Sequence, residues 1–315
     1  MSELYQTRFV YGDALAEAAQ RFPEVVALDA DLYTSTRTVT VRERFPERFV
    51  DVGISEMDMV STAAGLAASG LVPFANSFAM FITAHCYDQI RIQICYPGLH
   101  VILAGSSGGL TQGPDGASHQ SLEDVALMRA LPKMNVLVPA DAIETRAMTL
   151  AAVRDIAGPV YLRLGRYPVP NVLPADYAFE LGKAAWLRAG ADVALLACGH
   201  MVWMAMRAAD LLAAEGVQAS VINMSTIKPL DVAAVQQAAA SPLVVTIEEH
   251  SIIGGLGSAV AEVLAELPGH GGRGRLLRLG TRDVFGESGL ADELLARHGL
   301  APEGLYQAVM AGLRG

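Results

Sequence analysis

The sequence predicts an α/β protein of two domains, each a mostly parallel sheet flanked by helices. Three observations predict it. Short apolar runs of strand length alternate with helix-length stretches along the 315 residues, the pattern of parallel sheets covered by helices on both faces. Acids, glycines and small polar residues collect just after the apolar runs. A stretch with three prolines, YPVPNVLPADYA (167–178), divides one alternating set from another. The domains are therefore placed at 1–170 and 183–315, with a linker at 171–182.

In order, GDALAEAAQRF (12–22) has the spacing of an amphipathic helix and VVALDAD (25–31) that of a buried strand ending in acids. FVDVGIS (49–55) repeats the strand design, and a helix follows over 57–69. Ser55 and Asp58 have the spacing of a capping box. VPFANS (72–77) reads as a strand, 78–95 as one helix and HVILAG (100–105) as a strand. A Gly-rich loop (106–120) leads to a helix at 121–130, a strand at 135–140, a helix at 141–156 and a strand at 159–165.

Beyond the linker, strands are expected at 192–198, 217–223, 242–250 and 275–280. Helices are expected at 201–215, from Gly257, near 289–298 and at 303–313. The cluster GGLGSAV (254–260) reads as a tightly packed helix start and receives no cofactor.

A net charge of −10 argues against nucleic acid as a partner. The N-terminus lacks the basic start and apolar core of a signal peptide. The three cysteines, scattered in apolar contexts, suit reduced thiols in a cytoplasm. No His or Cys spacing suggests a metal site built by this chain alone. A hydrophobic fraction of 52% exceeds what a soluble monomer needs and points to a buried subunit interface.

The densest apolar stretch lies in residues 51–91, where no Asp, Glu, Lys or Arg occurs between Asp58 and Asp88. Gly70, Pro73, Asn76 and Ser77 interrupt it, which excludes a membrane span. The expectation is a helix, a strand and a helix, all buried, with Glu56 at the entrance. A helix-starting acid is commonly there for the helix dipole. Beside an uncharged interior, however, a carboxylate must find a partner or take a proton. Phe78 and Phe81, three apart, share a helix face and can pack in a core or clamp a flat heteroaromatic ring. The 106–120 loop lacks GxGxxG and GxxxxGK[ST], so no nucleotide phosphate loop is supported. Its Asp115 and His119 are either turn and cap residues or groups that a pliant backbone carries to a small polyhydroxylated substrate.

GISEMDMVSTAAGLAASGLVPFANSFAMF, DQIR, GPDGASHQSLEDVALMRALP, PVYLRLGR, IKPLD and FGESG together resemble the transketolase family. The resemblance is to its pyrimidine-binding domain followed by its C-terminal domain, and it covers essentially the whole chain. The family's diphosphate-binding domain has no counterpart here; YGDA (11–14) and PDGA (114–117) do not match its metal motif. The resemblance thus implies one subunit of a split transketolase that transfers a two-carbon ketol unit with thiamine diphosphate. It implies that Glu56 bonds the cofactor's aminopyrimidine ring, with Phe78, Phe81 and Asp31 nearby. Asp115 and His119 would contact donor hydroxyls, His119 near the reacting carbon, and Arg8, Ser35 and Arg166 the terminal phosphate.

Two positions depart from the family pattern: Ser107 stands where a phosphate-binding His is usual, and His85 where related split subunits often have Arg. A modified substrate is therefore expected, with a different anion, an altered chain length or no phosphate. The resemblance further implies that the cofactor's diphosphate and a divalent ion, Mg²⁺ or Ca²⁺, are held by a partner subunit. Two copies would pair through residues 59–87 in an α2β2 heterotetramer, with the chain inactive alone. Rival readings are the β subunit of a 2-oxo acid dehydrogenase, a 1-deoxyxylulose-phosphate synthase-like enzyme, and a non-catalytic assembly module of the same fold. The pair Asp115 and His119 favours ketol transfer over 2-oxo acid decarboxylation.

Overall fold

A computed structural model describes residues 3–267 and 274–314. Its first sheet contains strands β1 (Val25–Asp29), β2 (Phe49–Asp51), β3 (Val72–Phe78), β4 (Ile102–Ser106), β5 (Asn135–Leu137) and β6 (Val160–Arg163). The second contains β7 (Ala185–Arg188), β8 (Val193–Ala197), β9 (Ala219–Asn223), β11 (Leu243–Ser251) and β12 (Arg275–Thr281). Between β9 and β11, the short β10 (Thr226–Lys228) leaves its own half and pairs antiparallel with β5.

The first sheet has the order β10-β5-β6-β4-β3-β1-β2, and the second β12-β11-β8-β9-β7. Each is parallel except for one antiparallel edge strand, β10 or β7. The inner strands are apolar and fully buried along their length because helices cover both faces. In the first sheet the chain runs outward from β1 to β2, then returns to β3 on the other side of β1. That reversal makes the crevice beyond the carboxyl ends of β1 and β3 the switch point, where open α/β sheets bind ligands.

The expected alternation is present, and four local expectations are corrected. The 49–55 strand shrinks to β2, which lies at the sheet edge and is partly exposed instead of buried. Ser55 stands at the N-cap of the helix Glu56–Ala68 but makes no capping hydrogen bond, so there is no capping box. That helix and its surroundings are not wholly buried either: Gly65, Ala68 and Ser69 are exposed, and Met57 is 43% exposed. The stretch 78–95 is not one helix. It breaks into Ala79–Thr83, Tyr87–Gln89 and a π-helical turn, Ile90–Cys95. At the break the Thr83 hydroxyl donates to the Ala79 carbonyl at 2.6 Å and the Cys86 thiol to the Phe81 carbonyl at 3.4 Å.

Helix caps formed by side chains do occur elsewhere. Asp141 accepts from the Glu144 amide to start Ala142–Arg154, and Asp231 accepts from Ala234 to start Val232–Ala238. All three cysteines are buried and free. Among the described residues no helix is long and apolar enough to cross a membrane.

Candidate active site

The site grows from the carboxyl ends of β1, β3 and β4. Asp29, Asn76 and Ala104 stand side by side in register there. Tyr11 donates to Asn76 Oδ1 at 2.5 Å, and the Asn76 amide donates to the Leu28 and Phe74 carbonyls. Asp29 accepts from the Leu32 amide and from the Thr36 and Thr38 hydroxyls, at 2.6 to 2.8 Å. Burial nevertheless pushes its carboxyl up to about 6. Asp31 follows in the left-handed region at φ 59°, its amide donating to Asp51 and its side chain exposed.

Glu56 is the first residue of its helix and only 6% exposed. Its nearest polar neighbours among the described residues are Ser77 Oγ at 3.5 Å and His85 Nδ1 at 3.8 Å. His85 lies in the break at residues 84–86. A buried carboxylate with only these long contacts is an acceptor open to a further donor. One residue beyond Ser77, Phe78 stacks with Phe81, centroids 6.0 Å apart at 25°. His119 stands edge-on against both, 5.1 Å from Phe81 and 6.1 Å from Phe78. Residues some forty positions apart in sequence therefore share one aromatic cluster.

A second group lies on the Gly-rich loop. Its turn, Leu110–Asp115, brings the Gln112 amide onto Asp115, while Arg166 reaches Gln112 Oε1 at 3.4 Å and Asp115 at 3.5 Å. Arg8 donates to Gln6 at 2.9 Å and to the Ser35 carbonyl at 3.4 Å. Burial, then the charges of Arg166 and Arg37, lower the Arg8 guanidinium. Arg8, Arg37 and Arg166 are thus close enough to repel, an arrangement that favours an anion among them. Ser107, in contrast, is fully buried at φ 59° and among the described residues its hydroxyl reaches only Ser106, at 3.5 Å.

The loop glycines are not there for pliancy. A Cβ at Gly108 would strike the Arg163 guanidinium, and one at Gly109 the Glu249 carboxylate. Arg163 pairs with Asp124 at 2.7 Å and donates to the Ser121 and Glu249 carbonyls. Burial alone would raise Asp124, but Arg163 overrides it and holds the carboxyl below its usual range. Glu249 accepts from the Thr111 amide at 2.5 Å, and burial pushes it up to about 7. His200 Nδ1 lies 3.3 Å from Glu249 Oε2, yet burial and then Arg163 lower the imidazole to about 3, so it is neutral.

Sequence reasoning missed Arg37, Gln112, Gln120, Arg163 and Glu249. Glu249 had a signal, an acid pair inside the apolar strand run VVTIEEH (244–250). Among the described residues no group of three or more His, Cys, Asp or Glu is placed to hold a metal ion.

A doubly wound domain with this cluster at its switch point, joined to a second α/β domain, defines the class, and the chain belongs to the transketolase family. The family's sequence models match over residues 4–171 (transketolase, pyrimidine binding domain) and 182–305 (transketolase, C-terminal domain). More particularly, it is similar to subunits encoded separately. It is 42% identical to a 6-deoxy-6-sulfo-D-fructose transketolase subunit of Clostridium sp. (strain MSTE9), over 97% of this chain and 94% of that one. It is 37% identical to an apulose-4-phosphate transketolase subunit of Phocaeicola vulgatus, over 95% of each. A solved split gene transketolase, an inactive β4 tetramer, superposes with a TM-score of 0.90 at 46% identity, covering 98% of both chains.

Proposed function

We propose that this chain is the pyrimidine-binding subunit of a thiamine diphosphate-dependent split transketolase, moving a two-carbon ketol unit from a ketose to an aldose-type acceptor. The observation that carries the reading is the Phe78–Phe81–His119 cluster at the end of β3, with buried Glu56 within 3.5 Å of the preceding residue, Ser77. The residues present fit the cofactor's pyrimidine half: a buried, under-partnered carboxylate to accept from a ring amine, and flat aromatic faces beside it. When bound, the cofactor supplies the nucleophilic carbon chemistry. Glu56 holds and exchanges a proton at the pyrimidine ring. Phe78 and Phe81 orient the ring and exclude water. Asp31 lies on the adjoining rim.

His119 and Asp115 bind hydroxyls of the sugar. Arg8, Arg37 and Arg166, with Ser35 lending its backbone to orient Arg8, bind an anionic end. Ser107, with no exposed surface and its hydroxyl toward Ser106, is not available to this rim, contrary to the expectation from its position. Of the expected modified substrates, the guanidinium group favours one with a terminal anion over one with none. The names of two relatives, a sulfo-sugar and a sugar-phosphate transketolase subunit, support the same choice. A partner subunit corresponding to the other half holds the diphosphate and a divalent ion, Mg²⁺ or Ca²⁺. The charge-free region 59–87 pairs with a second copy, giving α2β2 in the cytoplasm.

The test is thiamine diphosphate binding by calorimetry, with Mg²⁺, for this chain alone and mixed with its partner subunit, followed by ketol-transfer assays. Binding and turnover only in the mixture are expected. Tight binding by this chain alone would overturn the divided site.

A further inference from the structure

The second half of the chain grips the loop that carries the substrate residues. From β11, Glu249 Oε1 accepts from the Thr111 amide at 2.5 Å, and Oε2 lies 3.3 Å from the Thr111 hydroxyl. From the other side comes the FGESG segment, Phe285–Gly289. The Gln120 amide bridges the Leu110 and Gly113 carbonyls, each at 3.1 Å, to the Glu287 carbonyl at 2.9 Å. Gly113 faces the Gly289 carbonyl and Gly116 faces Ser288, with no space for a side chain at Gly116. Inside this grip, Thr111 precedes Gln112, which holds Asp115 and approaches Arg166.

We propose that Glu249 and Gln120 are positioning residues: through them the C-terminal domain fixes the Leu110–Asp115 turn so that Asp115 and His119 face the sugar. The inference rests on the function proposed above, and it gives the second domain a task at the site itself. Glu249 touches no reacting atom in this scheme. Its carboxyl oxygen acts through the Thr111 amide, a hydrogen bond in a water-poor setting.

The assembled enzyme is compared with its Glu249→Ala, Glu249→Gln and Gln120→Ala variants by amide hydrogen exchange and steady-state kinetics. Leaving the buried Thr111 amide without its acceptor predicts exchange in the 110–116 peptide faster by roughly tenfold or more in Glu249→Ala. Peptides of the Glu56–Ala68 helix should be unchanged. The ketose KM should rise by a similar factor, with thiamine diphosphate affinity within about twofold of wild type. Glu249→Gln keeps the acceptor for Thr111 and should behave as wild type in both readouts. Gln120→Ala cuts the other side of the grip and should loosen the same peptide, which keeps the test alive if Glu249→Ala does not fold. Unchanged 110–116 exchange in both alanine variants would overturn the proposal. So would parallel losses in cofactor affinity, kcat and ketose KM, the mark of general destabilisation. If the wild-type assembly transfers no ketol unit, the proposed function falls, and the exchange data still decide whether the second domain holds the turn.

Discussion

Gly109 lies directly against the Glu249 carboxylate, with no room for a Cβ between them. The contact joins the substrate-site loop to a strand of the other domain, and Gly109 holds φ +94° to make it. Alanine there meets both a forbidden backbone region and a carboxylate fixed by Thr111. Gly109→Ala should therefore destabilise the chain by roughly 2 kcal/mol or more. Urea unfolding measures it; a loss below the scatter of surface substitutions would show that the loop can shift without cost.

Replacing Glu56 by Gln keeps shape and removes the exchangeable carboxyl proton. In the assembled enzyme, turnover should fall by about 100-fold or more, the usual share of acid–base catalysis. Size-exclusion chromatography should show assembly intact. A non-catalytic assembly module would be indifferent to the change.

Phe81→Ala removes one face of the aromatic pair. Affinity for thiamine diphosphate in the mixed complex should weaken by roughly tenfold, in line with aromatic contact energies of about 0.5–1.5 kcal/mol beyond area burial. Calorimetry on the complex reads it. Phe78, more deeply buried and ending β3, should cost folding stability as well.

Arg8→Ala should raise KM for an acceptor with a terminal phosphate or sulfonate by about tenfold or more. For a neutral acceptor of the same length KM should stay put. Equal effects on both acceptors would mean that the three guanidinium groups do not read the anion.

Protonation supplies a separate prediction. Glu249 titrates near 4.5 when unfolded and is pushed up to about 7 in the fold. The folded state prefers its protonated form, so this contribution to stability is complete below about pH 4.5 and is lost as pH rises to about 7. The difference between those values corresponds to roughly 3 kcal/mol. Glu249→Gln lacks the ionisation. Relative to wild type it should gain stability at pH 8 but not at pH 4, in urea titrations at both. An equal difference at both pH values would rule the ionisation out as the cause.

Much of the fold is legible in the residues because it rests on period and length. The buried strands Val25–Asp29 and Ile102–Ser106 announce themselves as apolar runs, and polar clusters after them locate the ligand-binding end. Glu56 stands out because its neighbours carry no charge. What stays hidden depends on long-range partners. Nothing local distinguishes a helix over 78–95 from three shorter pieces, since the residues at the break, Ala84, His85 and Cys86, include neither Gly nor Pro. The loop glycines invite a reading of mobility, because the Arg163 and Glu249 side chains that crowd them come from distant strands. Glu249 itself looks like one more residue of a strand until Thr111, 138 positions earlier, is seen against it.

The short strand Thr226–Lys228 has a consequence for how this polypeptide comes apart. It is covalently part of the second half yet forms the outermost rung of the first sheet, against Val136 and Leu137. Cutting the linker at 171–182 would therefore not free two independent bodies. The upstream fragment would lose its end rung and bare the hydrogen-bonding edge of β5, an invitation to aggregation. A gene divided at that point would yield a first half that needs the second as a template for its own sheet.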